Sequence, residues 1–143
     1  MKFSEAHGTK IVSTETAETV GEVDGFVVDP SDHAVRALRV RKSNAGNTLA
    51  WSDIRAFGVD AVTVDRGERI RDAGGDVSDL LGKERQILGK RVLTTGGEEL
   101  GSVSDIDFDP DSGEVTSLVC GDGDVAGARL VGVGSYAVVV QRS

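Results

Sequence analysis

Short runs of apolar residues, each ending at a turn signal, recur along most of the chain. Branched aliphatic residues fill these runs, and glycine, proline, asparagine and aspartate separate them at intervals of about 8–12 residues. Within 105–109, for example, Ile106 and Phe108 alternate with aspartates, which places the two apolar side chains on one face of a strand. This pattern predicts an all-β protein of the small barrel or sandwich type.

The sequence matches itself when it is shifted by 80 positions, so that Lys10 falls on Lys90. Further along, the shift falls to 76 and Gly58 aligns with Gly134, which indicates a deletion of four residues in the second copy. Because the match runs through turn and strand positions alike, we interpret it as a duplicated unit of about 60 residues. The identical pairs in the first register are Lys10 with Lys90, Val12 with Val92, Thr14 with Thr94, Glu18 with Glu98, Gly21 with Gly101, Val23 with Val103, Asp29 with Asp109, Pro30 with Pro110, Val35 with Val115 and Leu38 with Leu118.

Each copy is expected to hold the same succession of strands. A long strand ends at an Asp-Pro turn, and the chain then returns as a hairpin. The predicted strands of the first copy are 9–13, 20–28, 35–40 and a final pair, 48–51 with 60–65; those of the second are 89–93, 100–108, 115–120 and a final pair, 128–131 with 136–141.

The stretch 66–87 lacks the strand pattern and is read as a connector. Its glycine pair at 74–75 breaks the chain, and 76–83 combines capping residues with a glycine stop, which predicts one short helix. We therefore divide the chain into a first repeat at 1–65, this connector, and a second repeat at 88–143. A unit of about 65 residues buries only about 60% of its unfolded surface, so we expect the copies to pack on each other about a pseudo-twofold axis. A homodimer is compatible with this organisation.

Composition narrows the classes of partner. The chain of 143 residues carries a formal net charge of −8, which argues against DNA binding and weighs against RNA binding, because a polyanion needs a basic face. No run of about 18 apolar residues predicts a membrane span, and the first residues do not resemble a signal peptide, so a cytoplasmic location is expected. Cys120 has no second cysteine to pair with and is expected to be a small buried strand residue.

A connected set of motifs marks the second copy. They are, in order, L-G-K-R-V at 88–92, E-L-G-S-V at 99–103, D-I-D-F-D-P at 105–110 and G-E-V at 113–115. In this order they resemble the PRC-barrel family, which is named after the cytoplasmic domain of the photosynthetic reaction centre H subunit. A related module forms the C-terminal half of the ribosome maturation factor.

The first copy resembles the family more loosely. It has Gly25 where the second copy has Asp105, and His33 where the family has a glycine. The resemblance implies two small PRC-type β-barrels in tandem, joined by the helical connector. It also implies a non-catalytic protein–protein interaction or scaffolding module with no cofactor, because the matched positions are glycines, turn residues and core aliphatics. The alternative is an RNA-processing or ribosome-associated accessory factor.

Arg36, Arg39, Arg41 and Lys42 form the one basic concentration and are the candidate partner-binding residues. One interpretation is a solvated edge whose charges discourage aggregation between strands. The functional alternative is a contact patch for an acidic protein or an RNA backbone. An RNA site without interleaved aromatic residues is a weak version of this hypothesis.

The densest acidic cluster extends over 105–111 and is interpreted as a solvated strand face followed by a turn. A calcium loop of the EF-hand type requires glycine where Pro110 stands and glutamate where Thr116 stands. Whether the cluster binds any cation is left open.

The remaining chemically distinctive residues are given structural interpretations. His7 and His33 have no partner at a spacing typical of catalysis, and His33 is expected at a turn tip. The glycine-rich stretch 121–127 departs from a nucleotide fingerprint and is expected to be a hairpin loop. Trp51, Phe57 and Tyr136 are expected in the core or between the copies. No enzymatic activity is predicted.

Overall fold

The computed structural model describes residues 1–72, 86–121 and 123–142. These residues form two sheets and one short α-helix, α1 (Phe3–Ala6), which agrees with the expectation of a mostly β protein. The helix predicted at 76–83 lies outside the described residues, and nothing in the structure tests it.

The first sheet contains seven strands. One parallel pair of them joins the start of the first predicted repeat to its end. Its strands are β1 (Lys10–Ser13), β2 (Thr19–Asp29), β3 (Ala34–Arg41), β4 (Thr48–Ala50), β5 (Ala56–Phe57), β6 (Ala61–Val64) and β7 (Ile70–Arg71). Their order is β5-β6-β1-β2-β3-β4-β7, and β1 pairs parallel with β6. We call this sheet the first lobe. It includes residues 70–71, which the sequence assigned to the connector.

The second sheet contains six strands. They are β8 (Arg91–Thr94), β9 (Glu99–Phe108), β10 (Val115–Cys120), β11 (Gly123–Ala126), β12 (Leu130–Val133) and β13 (Val138–Val140). Their order is β11-β10-β9-β8-β13-β12, and β8 pairs parallel with β13. We call this sheet the second lobe. Neither sheet is closed by the strand pairs of the described residues.

The two lobes share one strand order, apart from β7. Reading β8 to β13 as the counterparts of β1, β2, β3, β4, β5 and β6 reproduces every neighbour relation. A single turn of 3₁₀ helix follows β4 at Trp51–Asp53 and follows β11 at Gly127–Arg129. The four-residue difference falls between the third and fourth strands, because residues 42–47 separate β3 from β4 whereas 121–122 separate β10 from β11.

Two expectations about strands are wrong. Residues 48–50 do not pair with 61–64; they pair with β3 and β7, while β6 pairs with β1 and β5. The stretch 121–127 is not a loop, because β11 occupies most of it. Both errors come from short strands whose partners are chosen by long-range contacts, which local patterns do not report.

One aromatic cluster joins the lobes. Phe3 stacks on Phe26, with ring centroids 3.8 Å apart, and both rings contact Phe108, at 5.5 and 5.4 Å. Phe57 and Trp51 contact Phe108 from the first lobe, at 5.4 and 6.2 Å. All four phenylalanines and the one tryptophan of the chain therefore meet around Phe108, within a single apolar core that includes residues of both sheets.

The backbones of the lobes meet in a reciprocal contact. The N–H of Val35 donates to the carbonyl of Gly113 (2.7 Å), and the N–H of Val115 donates to the carbonyl of His33 (2.8 Å). Each donor and acceptor is shifted by 80 positions from its counterpart, since 33 + 80 = 113 and 35 + 80 = 115. The same two segments thus contact each other with their roles exchanged.

Side-chain size differs between the two sides of this contact. A Cβ atom at Gly113 would lie 2.9 Å from Cε2 of Trp51, so the indole occupies the space above the glycine. On the other side His33 stands at a turn, as predicted, and its Nε2 lies 2.9 Å from the carbonyl oxygen of Leu130. Both residues have a positive φ, 54° at His33 and 82° at Gly113.

We predict that Gly113→Ala destabilises the protein more than Gly97→Ala. Both glycines have φ near +83°, at 82° and 84°, but nothing lies within 4 Å of a Cβ at Gly97. Gly97→Ala should therefore cost about 1–2 kcal/mol for the left-handed backbone alone, and Gly113→Ala about 1–3 kcal/mol more for the clash with Trp51. Urea unfolding measures both, and the excess should shrink in a Trp51→Leu background. Equal losses of unfolding free energy in the two variants would contradict the close contact between Gly113 and Trp51.

We also predict that residues 1–72 and 86–143, produced separately, are not independently stable monomers. Each fragment exposes its share of the aromatic cluster, and large-to-small truncation of one such ring already costs about 3–5 kcal/mol. Circular dichroism and light scattering should show unfolded or aggregated fragments that gain structure on mixing. Two stable monomers that do not bind each other would refute the shared core.

Candidate functional site

The four predicted basic residues occupy β3 and the position after it. Arg36 is held at one end of the strand, where its guanidinium contacts the carboxylates of Asp29 (2.6 Å) and Asp32 (2.7 Å). Both carboxylates belong to the Asp-Pro turn that the sequence predicted. Arg36 therefore braces this turn.

Arg41 and Lys42 share one carboxylate. Nε of Arg41 donates to Glu22 (3.1 Å) and Nζ of Lys42 lies 3.4 Å from the same carboxylate, on the neighbouring strand β2. Burial would raise the pKa of Glu22, but the hydrogen bonds and charges of Arg41 and Lys42 outweigh it and lower the pKa below its ordinary value. Arg36, Arg41 and Lys42 are thus paired with carboxylates within the chain.

Arg39 has a different environment, a cleft between the lobes. Its side chain lies along Gly25, where a Cβ atom would be 3.2 Å from Cδ of Arg39. The cleft has a volume of about 470 Å³. Its lining among the described residues comprises Phe3, Ser4, His7, Asp24, Gly25, Phe26, Val28, Arg39, Gln86, Ile87, Leu88 and Ile106.

Three polar residues of this cleft, Ser4, His7 and Asp24, are the residue types of a nucleophilic site. Their contacts differ from those of such a site. The hydroxyl of Ser4 donates to the carboxylate of Asp105, and Nε2 of His7 lies 3.9 Å from Asp24, beyond hydrogen-bond distance. The recorded contacts therefore form no relay from a serine through an imidazole to a carboxylate.

The acidic residues at 105–109 contribute to contacts between elements. Asp105 accepts hydrogen bonds from Oγ of Ser4 and from the backbone N–H groups of Ser4 (3.2 Å) and Ile106 (2.9 Å). Burial acts to raise the pKa of Asp105. The hydrogen bonds lower it by more than burial raises it, so the pKa lies below its ordinary value. Asp107 lies 3.9 Å from the Met1 ammonium.

Asp109 belongs to the turn itself, where it accepts the N–H of Asp111 at 2.8 Å. In the described part of the chain, no group of three or more His, Cys, Asp or Glu side chains is placed to hold a metal ion.

Part of the chain matches a known protein family. The family model for the PRC-barrel domain matches residues 83–142. A PRC-barrel domain is found there. No curated protein matches the chain, and in the described residues no helix has the length and apolar character needed to cross a membrane.

The PRC-barrel domain thus coincides with the second lobe, where the sequence motifs were found. Its glycines and turn residues have structural positions: Gly101 and Gly113 have positive φ, and Asp109 closes the turn before β10. No recorded contact gives any of them a chemical role.

Tyr136 of the PRC-barrel domain is not where the sequence placed it. It is 67% exposed, stacks under the guanidinium of Arg91 at 4.6 Å and accepts a hydrogen bond from it at 2.9 Å. Phe57 is buried and Trp51 is half-buried between the lobes, as expected. A polar residue after a glycine turn, as in Gly134-Ser135-Tyr136, could have signalled the exposure of this ring.

Each lobe has an exposed large side chain in a corresponding turn between two strands. Val59, in the turn between β5 and β6, is 87% exposed, and Tyr136 lies in the turn between β12 and β13. Val131, on the edge strand β12, is 46% exposed.

We predict that the hydrogen-bonded carboxylate of Asp105 makes the protein acid-sensitive. Its pKa is lowered in the folded state, so its contribution is present above the unfolded pKa of 3.8 and is lost as the pH falls below that value. Between about pH 5 and pH 3, Asp105→Asn should therefore lose less stability in urea unfolding than the wild type.

Asp60→Asn, which changes an exposed turn carboxylate, is the control and should follow the wild type. A parallel pH dependence for Asp105→Asn and the wild type would contradict the role given to Asp105.

Proposed function

We propose that the chain is a non-catalytic scaffold that binds other proteins, built from two PRC-type barrels in tandem. The tandem arrangement is supported by the shared strand order of the lobes and by the reciprocal contact of residues 33–35 with 113–115. Both features are what a pseudo-twofold relation between duplicated units requires.

The proposed binding of other proteins is supported by the positions of the polar and apolar side chains. Several polar groups of the cleft and of β9 make contacts between elements, as Ser4 does with Asp105 and the Met1 ammonium does with Asp107. Large apolar side chains stand exposed at Val59, Val131 and Tyr136. A β framework with exposed apolar side chains is suited to binding another protein. The serine, histidine and aspartate described in the cleft are not assembled into a nucleophile.

The alternative is an RNA- or ribosome-associated accessory factor that uses the basic residues of β3. Arg36 and Arg41 argue against it, because their charges are already balanced by Asp29, Asp32 and Glu22. A phosphate backbone would have to compete with these internal carboxylates, at a cost that grows with salt.

We predict that a partner retained from the native host binds through exposed apolar residues and survives RNase. Tyr136→Ser combined with Val131→Ser should reduce recovery of the retained protein, because these substitutions remove exposed apolar area without opening the core. Arg41→Ala combined with Lys42→Ala should leave recovery unchanged. Mass spectrometry with crosslinking identifies the retained protein in each case.

The RNA alternative gives the opposite result: the retained protein is lost on RNase treatment and in the Arg41 and Lys42 variant. Circular dichroism checks that both variants fold. A chain that retains nothing, or that retains only further copies of itself, contradicts the scaffold proposal in its heterologous form.

A further inference from the structure

The outer edge of β11 has no partner strand among the described residues, although its counterpart does. In the first lobe β7 pairs antiparallel with the outer edge of β4. In the second lobe β11 is the terminal strand of its sheet. The unpaired N–H and C=O groups of such an edge are a template for another extended segment.

The pairing with the third strand of each lobe fixes which residues correspond. Leu49 lies opposite Leu38, and Val125 lies opposite Leu118. One position earlier in β4 and β11, Thr48 corresponds to Asp124. β11 therefore has an apolar residue, Val125, where β4 has Leu49. Where β4 has the buried hydroxyl of Thr48, β11 has the exposed carboxylate of Asp124.

β7 shows what a strand at this edge needs. Ile70 lies opposite Leu49 and is only 1% exposed, with Cδ1 3.4 Å from a Cβ built at Gly21. Arg71 lies opposite Thr48 and keeps its guanidinium in solvent, 3.4 Å from Asp53. The pattern is an aliphatic residue that enters the core and a basic residue beside it that stays outside.

Two local features hold β7 in place in the first lobe. Arg69 makes two hydrogen bonds to Asp65, at 2.8 and 3.0 Å, and thereby anchors the turn before β7; the bonds lower the pKa of Asp65 to about 2. The loop 42–47 closes on the other end, since a Cβ at Gly46 would collide with the backbone of Arg71. Only two residues separate β10 from β11, so the second lobe has no counterpart of the loop 42–47.

The charge of β11 favours a basic segment of another protein over a second copy of this chain as its partner strand. Asp124 and Asp105 both lie opposite Val119 in the second sheet, one on each side of it, so the strand face next to the edge is acidic. β11 of a second copy consists of Gly123, Asp124, Val125 and Ala126, so it would place no basic residue opposite Asp124. In the register centred on Asp124 it would set two carboxylates opposite each other, which destabilises a sheet. A basic residue opposite Asp124 would instead form an attractive cross-strand pair.

We propose that β11 binds an extended segment of another protein, antiparallel, with an aliphatic residue opposite Val125 and an arginine or lysine opposite Asp124. This inference rests on the proposed protein-binding function and specifies the site and the partner's chemistry. Main-chain hydrogen bonds supply the affinity of such strand addition, and the two side-chain positions supply the register.

A synthetic peptide with the sequence of residues 66–72, RGERIRD, is the probe, because it contains the segment that pairs with the equivalent edge. Nuclear magnetic resonance of the whole ¹⁵N-labelled chain should show amide shifts at Gly123–Ala126 as peptide is added. A peptide with glutamate in place of the second-last residue should bind about two- to tenfold more weakly. Asp124→Lys should reverse this preference, and Asp60→Lys, a charge change at an exposed turn, should not.

Three results would overturn the inference. They are the absence of shifts at β11 at millimolar peptide, shifts at β4 and β7 in place of β11, and a charge preference that Asp124→Lys leaves unchanged. Concentration-dependent shifts of β11 without peptide would show a second copy as the occupant and would also overturn it. If the peptide fails while the partner of the previous section is still lost in the Tyr136 and Val131 variant, the scaffold proposal stands without this site.

Discussion

The packing of aromatic rings around Phe108 is the interaction on which the molecule depends. Phe108 ends β9 in the second lobe, yet Phe26 and Phe57 from the first lobe and Phe3 from the N-terminal helix surround it. The two sheets share this cluster, which contains all four phenylalanines and the one tryptophan of the chain. Combining them at one place gives two small sheets a common interior, and burial of aromatic area supplies a large share of its stability.

This shared interior dictates where the charged groups go. Arg36 and Arg41 lie on β3, Lys42 directly follows it, and each of the three contacts a carboxylate of the first lobe. Such pairs contribute little stability individually, but they leave few charges unbalanced near the strands. The surface that remains for recognition consists of sheet edges and loop tips, where Tyr136 and Asp124 are exposed. The cleft beside Arg39 is a mostly apolar pocket, and the hydroxyl of Ser4 in its lining donates to the carboxylate of Asp105.

Much of the fold was accessible from residue patterns. Alternation of Ile106 and Phe108 with aspartates correctly placed the inward and outward faces of β9, and the self-match correctly located corresponding long strands and the Asp-Pro turns. The site was less accessible. The basic residues of β3 were noticed as a cluster because they are close in sequence, but their partners, such as Glu22 and Asp29, come from a strand that is adjacent only after folding.

Local periodicity is a property of neighbouring residues, so the amino-acid order alone establishes a β protein with two similar halves and buried aliphatic faces. Partner choice is different, because a two- or three-residue strand such as β7 or β4 carries too little pattern to select its neighbour. The parallel pairing of β1 with β6, the insertion of Phe3 between the lobes and the place of β11 at the end of its sheet arise from distant segments competing for the same apolar surface. That competition is resolved only when the whole chain packs, because burial is a collective quantity and no single segment contains it.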